Sequence, residues 1–298
     1  MTVSSYAQLT GRGVVSVTGP DAEKLLQGLV TNDLPPAAGE ATFAGLLSPQ
    51  GKILFDFFIV RAAGGFLLDV ARDKASELGK RLTLYRLRSD VQIADRSNDF
   101  EVAAGWDRDT DAAEVSPAGV VASFRDPRLP EMGQRIISQA RQTPAHGGHA
   151  ATEAAYHAHR IALGVPEGGR DYAYGDTFPH EALFDQIHGV SFDKGCYVGQ
   201  EIVSRMQHRG TARKRIVQVT GERALPESGT DILAGTVAIG ALGSIHGSNA
   251  LGLVRLDRAA EFKAKGIDLT AGGVPLTLSK PAFATFALEP QTAPVPPA

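Results

Sequence analysis

Lys194-Gly195-Cys196-Tyr197-Val198-Gly199-Gln200-Glu201 holds the only cysteine of a 298-residue chain. The thiol lies between two glycines, two residues from a lysine and just ahead of a predicted helix N-terminus. A cationic neighbour and the positive end of a helix both favour thiolate over thiol. The glycines allow backbone conformations that bring a ligand or partner close to the main chain. A structural cysteine usually packs on the apolar face of a regular element, which this loop is not. Cys196 is therefore read as a functional thiol, with Lys194 favouring its thiolate and Gly195 and Gly199 shaping the loop. The alternative is a folding nucleus in which Cys196 is filler.

Downstream of the motif, residues 198–207 read as a helix closed by Gly210. Residues 213–288 carry short β-branched runs split by glycines, the pattern of a small all-β barrel or sandwich. Upstream, Gly19-Pro20-Asp21 opens a helix whose Ala22, Leu25, Leu26, Leu29 and Val30 form one apolar stripe, stopped at residues 32–36. Residues 42–48 and 53–60 read as strands around the turn Pro49-Gln50-Gly51-Lys52, and a third strand covers 66–70. A helix then starts at Asp73 with Ala75, Leu78, Leu82 and Tyr85 on one face. Short strands follow over 91–137. Thr152 caps a helix running to about Leu163, stopped by Gly164 and Pro166. The fold class is α+β followed by a β domain. The expected division is an α/β region over 1–210 with a seam near 142–150, a C-terminal barrel over 211–288, and a disordered tail over 289–298.

Composition narrows the function. Thirty basic against 33 acidic side chains give a charge of −3, and 43% hydrophobic residues belong to a globular chain. A single cysteine excludes an intramolecular disulfide, and excludes a four-cysteine zinc or iron–sulfur site built by this chain alone. Residues 232–254 are uncharged but interrupted by glycines, serines, His246 and Asn249, so they read as strands and not as a membrane helix. The opening residues have no basic n-region or apolar h-region. A soluble, cytoplasmic protein with no membrane association is expected.

Other signals are weaker. Gly45 to Lys52 has five residues between its glycines where a phosphate loop needs about four, and Ile53 where Ser or Thr would bind magnesium. His157 and His159 are about 200° apart on a helix, a poor geometry for one metal, and His146 and His149 lie in a glycine-rich linker. Cys196, His208 and Asp185 or Asp193 carry no local thiol-hydrolase signature. Arg205, Arg209, Arg213, Lys214 and Arg215 come with no acid between Glu201 and Glu222, which suits an anionic ligand or a solvated connection equally. The overall charge and the lack of interleaved aromatics argue against a dedicated nucleic-acid binder.

The motif Lys-Gly-Cys-Tyr-x-Gly-Gln-Glu resembles the signature of the YgfZ-type folate-binding proteins, relatives of the aminomethyltransferase (T protein, GcvT) of the glycine cleavage system. Further stretches resemble the family in the same order. These are Gly19-Pro20-Asp21-Ala22, Leu25-Leu26-Gln27-Gly28 and Thr31-Asn32-Asp33, then Ser48-Pro49-Gln50-Gly51-Lys52-Ile53-Leu54 and Tyr85-Arg86-Leu87-Arg88. The C-terminal Ala250-Leu251-Gly252-Leu253-Val254-Arg255 looks like the family's barrel. His159-Arg160, residues 164–168 and 189–192, and Arg213-Lys214-Arg215 look closest to the mitochondrial iron–sulfur assembly factor and its bacterial relatives.

The resemblance implies a three-domain ring ending in a β-barrel, with tetrahydrofolate in a central hole. It implies a role in making or repairing [4Fe–4S] clusters in recipient enzymes, and an indirect influence on tRNA modification. Cys196 would be a transient cluster ligand shared with an A-type carrier's thiolates, or a redox thiol, with no permanently bound metal. Gln200, Glu201 and Arg205 would order the motif helix or meet the partner, and Tyr197 belongs to the motif. Asp56 and Arg205 are the candidate folate contacts. Two departures count against the alternative, a tetrahydrofolate-dependent aminomethyltransferase: Phe55 replaces an acid beside Asp56, and Ala162 replaces a pterin-binding glutamate.

Overall fold

The structure is a computed structural model that describes residues 5–106, 119–141, 149–210 and 212–288. Most of the expected seam at 142–150, His146 and the whole tail at 289–298 lie outside the described residues. In chain order the first strands and helices are β1 (Ser5–Gln8), β2 (Arg12–Thr18), α1 (Ala22–Gln27), β3 (Ala41–Leu47), β4 (Ile53–Ala62), β5 (Gly65–Ala71), α2 (Ala75–Arg86), β6 (Gln92–Asp95) and β7 (Phe100–Trp106). β8 (Val120–Arg125), β9 (Gln134–Gln139), β10 (His149–Ala150), α3 (Glu153–Leu163) and α4 (Gln200–Arg209) follow. The last are β11 (Lys214–Gly221), β12 (Asp231–Ala234), β13 (Val237–His246), β14 (Asn249–Arg255), α5 (Leu256–Ala264), β15 (Leu269–Ala271) and β16 (Val274–Ser279).

Three sheets organise these elements. One has the order β3-β4-β5-β2-β6, the second β10-β1-β7-β9-β8, and the third closes as the barrel β11-β14-β13-β12-β15-β16. β4 shows why the first sheet is a wall between two cores. Phe55 and Phe57 face the cluster under α1 and α2, while Phe58 and Val60 face a second cluster. That second cluster also takes Val102, Trp106 and Ile137 from the second sheet, Tyr156 and Ile161 from α3, and Ile216 and Leu251 from the barrel. One apolar core thus joins all three sheets, and burial there at roughly 25 cal/mol per Å² is what holds them together.

α3 behaves as its sequence requires. The Thr152 hydroxyl accepts the Ala155 amide at 3.1 Å, and Gly164 closes the helix at φ 82°. α1 is shorter than its apolar stripe suggests. It ends at Gln27, because Val30 bridges to Leu46 and the Thr31 amide donates to Gly45, so the sheet takes the chain from the helix. Leu29 and Val30 remain buried all the same. α5 was absent from the sequence reading of the barrel region, where Leu256 and Ala259 pack a helix onto the strands.

Candidate functional site

The motif loop is built on two remote segments, residues 30–32 and the turn at 48–52. Lys194 is buried, and its Nζ donates to the carbonyls of Val30 and Asn32, both at 2.8 Å. The Thr31 hydroxyl donates to the Gly189 carbonyl at 2.6 Å and accepts the Gly45 amide at 2.8 Å. The Ser191 amide returns to the Thr31 carbonyl at 3.0 Å, and Asn32 Nδ2 donates to His188 at 2.6 Å. Residues 30–32 therefore clamp the chain entering the motif.

The turn at 48–52 clamps the chain leaving it. Gly199 stands at φ 82° as the residue before α4, where a Cβ would lie 2.7 Å from the Ser48 carbonyl oxygen. Gly51 stands at φ 77°, and a Cβ there would lie 2.8 Å from that of Ile202. Only glycine fits such contacts at positive φ. Gly195 is different: it is exposed, with nothing within 4 Å of the place a Cβ would take. Tyr197 is buried and packs in the joint core, its ring centroid 5.5 Å from Lys194 Nζ.

On this rigid base Cys196 is exposed, and among the described residues its sulfur makes no hydrogen bond. The arrangement presents one uncommitted thiol to solvent from a loop fixed on both sides. Lys194 makes its hydrogen bonds away from the thiol. Two of its three donors go to backbone carbonyls and none of its hydrogen bonds reaches Cys196, so it acts as a strut. Burial holds its ammonium down at about 8, with Asp33 pulling in the opposite direction. Gln200 is half-buried at the start of α4, and Glu201 and Arg205 are exposed on it. Arg215 leaves the basic run, because it is buried and bound to Asp185 at 2.6 Å and to the His180 carbonyl at 2.9 Å.

Asp56 and Arg205 are not brought together. Asp56 is 3% exposed and accepts a hydrogen bond from the Tyr174 hydroxyl, whereas Arg205 stands on the open face of α4. Burial and the Asp56 charge hold both Tyr172 and Tyr174 well above the usual phenol range. The Tyr174 hydroxyl takes Asp56 Oδ1, so a pterin donor reaches that oxygen only by displacing it. Ala162 is exposed, and its carbonyl accepts Gln218 Nε2 at 2.8 Å, so it supplies no buried acceptor. These residues do not fit tetrahydrofolate as they stand.

The largest polar feature was missed from the sequence. The fully buried Asp69 carboxylate takes Arg12 Nε at 2.6 Å from its own sheet and Arg135 at 2.8 Å from the second. Arg135 and Arg128 share the Tyr156 hydroxyl at 2.7 and 3.2 Å, and Arg128 is also paired with Asp126. Arg160 joins Asp171 at 2.6 Å and Glu167 at 3.2 Å, and reaches Ser244 of the barrel. The surrounding cations, Arg160 first, hold Glu167 down at about 2 against its own burial. The signal in the sequence is a carboxylate in an apolar strand, Gly65 to Ala71, but its partners are remote in the chain. His157 and His159 serve structure: His157 Nδ1 accepts from Arg160 at 3.0 Å, and His159 stacks on Trp106. Among the described residues no histidine, cysteine and carboxylate group could hold a metal, and no helix is long and apolar enough to cross a membrane.

Residues 213–286 match the family described as CAF17, C-terminal beta-barrel domain. The iron–sulfur cluster assembly factor IBA57, mitochondrial, of Homo sapiens is 36% identical over 261 residues, covering 80% of this chain and 72% of that protein. The corresponding Mus musculus protein is 35% identical, covering 74% and 68%. The Neurospora crassa homolog is 36% identical over 250 residues, covering 76% of this chain and 56% of its own. The chain thus spans little more than half the length of that fungal relative. Glycine cleavage system aminomethyltransferase T from Bartonella henselae superposes with a TM-score of 0.75 at 18% identity, over 95% of this chain and 87% of that one. That likeness bears out the aminomethyltransferase-type fold. The relatives carry the IBA57 name, a sibling of the YgfZ-type proteins, and their names are mitochondrial. The expectation of a cytoplasmic protein is thereby overturned.

Proposed function

Because this chain belongs to the family of iron–sulfur cluster assembly factors named IBA57, we propose that it assists iron–sulfur cluster assembly through the thiol of Cys196. The clients are enzymes that need [4Fe–4S] clusters. The observation that carries the reading is the exposed, uncommitted Cys196 on a loop pinned by Lys194, Thr31 and Gly199. Such a thiol can bind a metal without first unfolding its surroundings, so little ordering is lost when it does.

One thiolate cannot hold a cluster. The remaining ligands come from a partner, an A-type carrier by the resemblance. In the exchange, the Cys196 thiol gives its proton to solvent and its sulfur bonds an iron. One carrier thiolate leaves that iron and takes up a proton, and no electrons are transferred. The chain acts in this reading as an assembly factor and not as a catalyst of organic chemistry. The aminomethyltransferase-type fold leaves tetrahydrofolate as a ligand of the family, while Tyr174 already takes one oxygen of Asp56.

The test mixes the purified protein with an A-type carrier loaded with a [2Fe–2S] cluster, read by visible absorption and circular dichroism. Wild type is expected to change the cluster spectrum and co-elute with the carrier. Cys196→Ser is expected to do neither while melting at the wild-type temperature. A Cys196→Ser protein that forms the same cluster-bearing complex would overturn the reading.

A further inference from the structure

The end of α2 carries a strained leucine. Leu87, the residue after the helix, stands at φ 48° and ψ −107°, and the Ser89 amide donates to the Arg86 carbonyl at 2.9 Å. That is a four-residue turn with Leu87 at its first central position, close to the roughly (60°, −120°) of a type II′ turn. Glycine suits that position, because a side chain there crowds its own backbone. Packing does not offset the misfit, since the Leu87 side chain is 87% exposed. Leu84, one turn earlier, is 71% exposed, and these two are the most exposed of the large apolar side chains among the described residues. Leu84 lies about 200° around the helix from buried Leu82, on the face turned away from the core. A lone exposed leucine is ordinary, but two neighbours, one of them held in a conformation that glycine favours, point to a function.

The free charges around the two leucines are mostly positive. Exposed Lys80 lies four residues before Leu84 on the same face of α2, and exposed Arg88 follows Leu87. A cleft of about 690 Å³ opens between α1 and this turn, lined by Asp21, Lys24, Leu87, Arg88 and Ser89. Among the described residues, Lys24, Lys80 and Arg88 make no ion pair. Most nearby acids are engaged. Asp21 Oδ2 accepts the Asp90 amide at 2.8 Å, Glu77 pairs with Lys74 at 3.3 Å, and Glu23 pairs with Arg61 at 3.0 Å. Asp90 is the exposed acid of the turn.

We propose that the end of α2 rests on an anionic lipid surface. Leu84 and Leu87 enter the boundary between headgroups and acyl chains, while Lys24, Lys80 and Arg88 meet the phosphates. This is adhesion and not spanning, since among the described residues no helix is long and apolar enough to cross a membrane. It departs from the sequence expectation of no membrane association, which rested on the lack of a spanning helix. A second copy of the chain is the less suitable occupant, because matching patches would bring like charges together. A protein socket would need acids placed around two leucines, whereas an anionic bilayer offers both features everywhere on its surface. The contact does not depend on Cys196, so it stands whether or not the thiol holds a cluster.

The test sediments the purified protein with vesicles of two kinds, phosphatidylcholine alone and phosphatidylcholine with about 30% phosphatidylglycerol. The variants are Leu84→Ser/Leu87→Gly, Lys80→Glu/Arg88→Glu and Leu87→Gly. Wild type is expected to bind the anionic vesicles at least about tenfold more tightly than the neutral ones. The double leucine variant should lose about tenfold or more on anionic vesicles. The charge reversal should lose about 25-fold or more, at roughly fivefold per cation. Leu87→Gly should melt at or above the wild-type temperature, because glycine relieves the turn. Equal binding to both vesicles, binding to neither, or a double leucine variant that binds as wild type does overturns the proposal. Wild type that ignores vesicles but self-associates through these leucines overturns it in favour of a second copy. Leu87→Gly melting below wild type overturns the strain at this turn.

Discussion

Replacing Lys194 by methionine tests how the thiol loop is held. The change keeps the length and apolar stem of the side chain and removes only the ammonium, with its two 2.8 Å bonds to the carbonyls of Val30 and Asn32. Hydrogen bonds from a charged donor contribute about 1.5–3 kcal/mol each, but the buried ammonium gives part of that back in lost hydration. The same loss of hydration is what holds Lys194 at about 8. Val30 is fully buried, so its carbonyl is left without a partner, while the half-buried Asn32 can recruit water. The expected net loss is about 2 kcal/mol in urea unfolding. Lys194→Arg should not rescue it, because a planar fork does not fit two carbonyls arranged around a single point charge. The pH dependence has a definite sign. Lys194 in the folded chain gives up its proton at about 8, whereas the unfolded chain holds it to 10.5. Over that window the unfolded state binds more protons, so wild type gains stability as pH rises and Lys194→Met does not. The gap between the two proteins should widen from pH 8 to 10. A loss below about 0.5 kcal/mol would refute the strut, and a gap that stays constant over that range would refute the lowering of Lys194 by burial.

Other consequences follow from the same geometry. Gly199→Ala should cost more than about 2 kcal/mol in chemical unfolding, from positive φ and the clash with Ser48, while Gly195→Ala, with open space around it, stays within about 0.5 kcal/mol. Asp69→Asn leaves Arg12 and Arg135 buried without their counter-charge and should cost about 3–5 kcal/mol, read as a lower urea midpoint. Glu167 is held at about 2 in the folded chain against 4.5 in the unfolded one, so its contribution is complete above pH 4.5 and vanishes as pH falls to 2. Acid titration should show about 3 kcal/mol lost over that window in wild type and a flatter curve in Glu167→Gln.

The sequence carried the local grammar of the fold well. Thr152 and Gly164 mark the ends of α3, Gly210 ends α4, and glycine-split runs become the closed barrel. It carried less where tertiary contacts decide. The stripe through Leu29 and Val30 is helical in period, yet pairing with Leu46 and Gly45 pulls those residues out of α1. In the site, Cys196 stood out because its glycine-flanked loop belongs to no regular element. The function of Lys194 did not, since sequence proximity to a thiol says nothing about where an ammonium finds acceptors. The clamps around the loop were quoted as separate stretches, Thr31-Asn32-Asp33 and Ser48 to Leu54, with no local sign that they meet at residues 188–202. The Asp69 network was equally hidden, because both ion pairs of Asp69 join residues on different elements.

The most direct test of the account is aconitase activity in cells lacking this protein, complemented with wild type or Cys196→Ala at matched protein levels. Because Cys196 is exposed, the alanine variant should fold and accumulate normally. Restored activity with wild type and none with Cys196→Ala is the predicted result. Equal restoration by both would contradict a role for the thiol in cluster assembly, and activity that never falls in the deficient cells would contradict the assembly role itself.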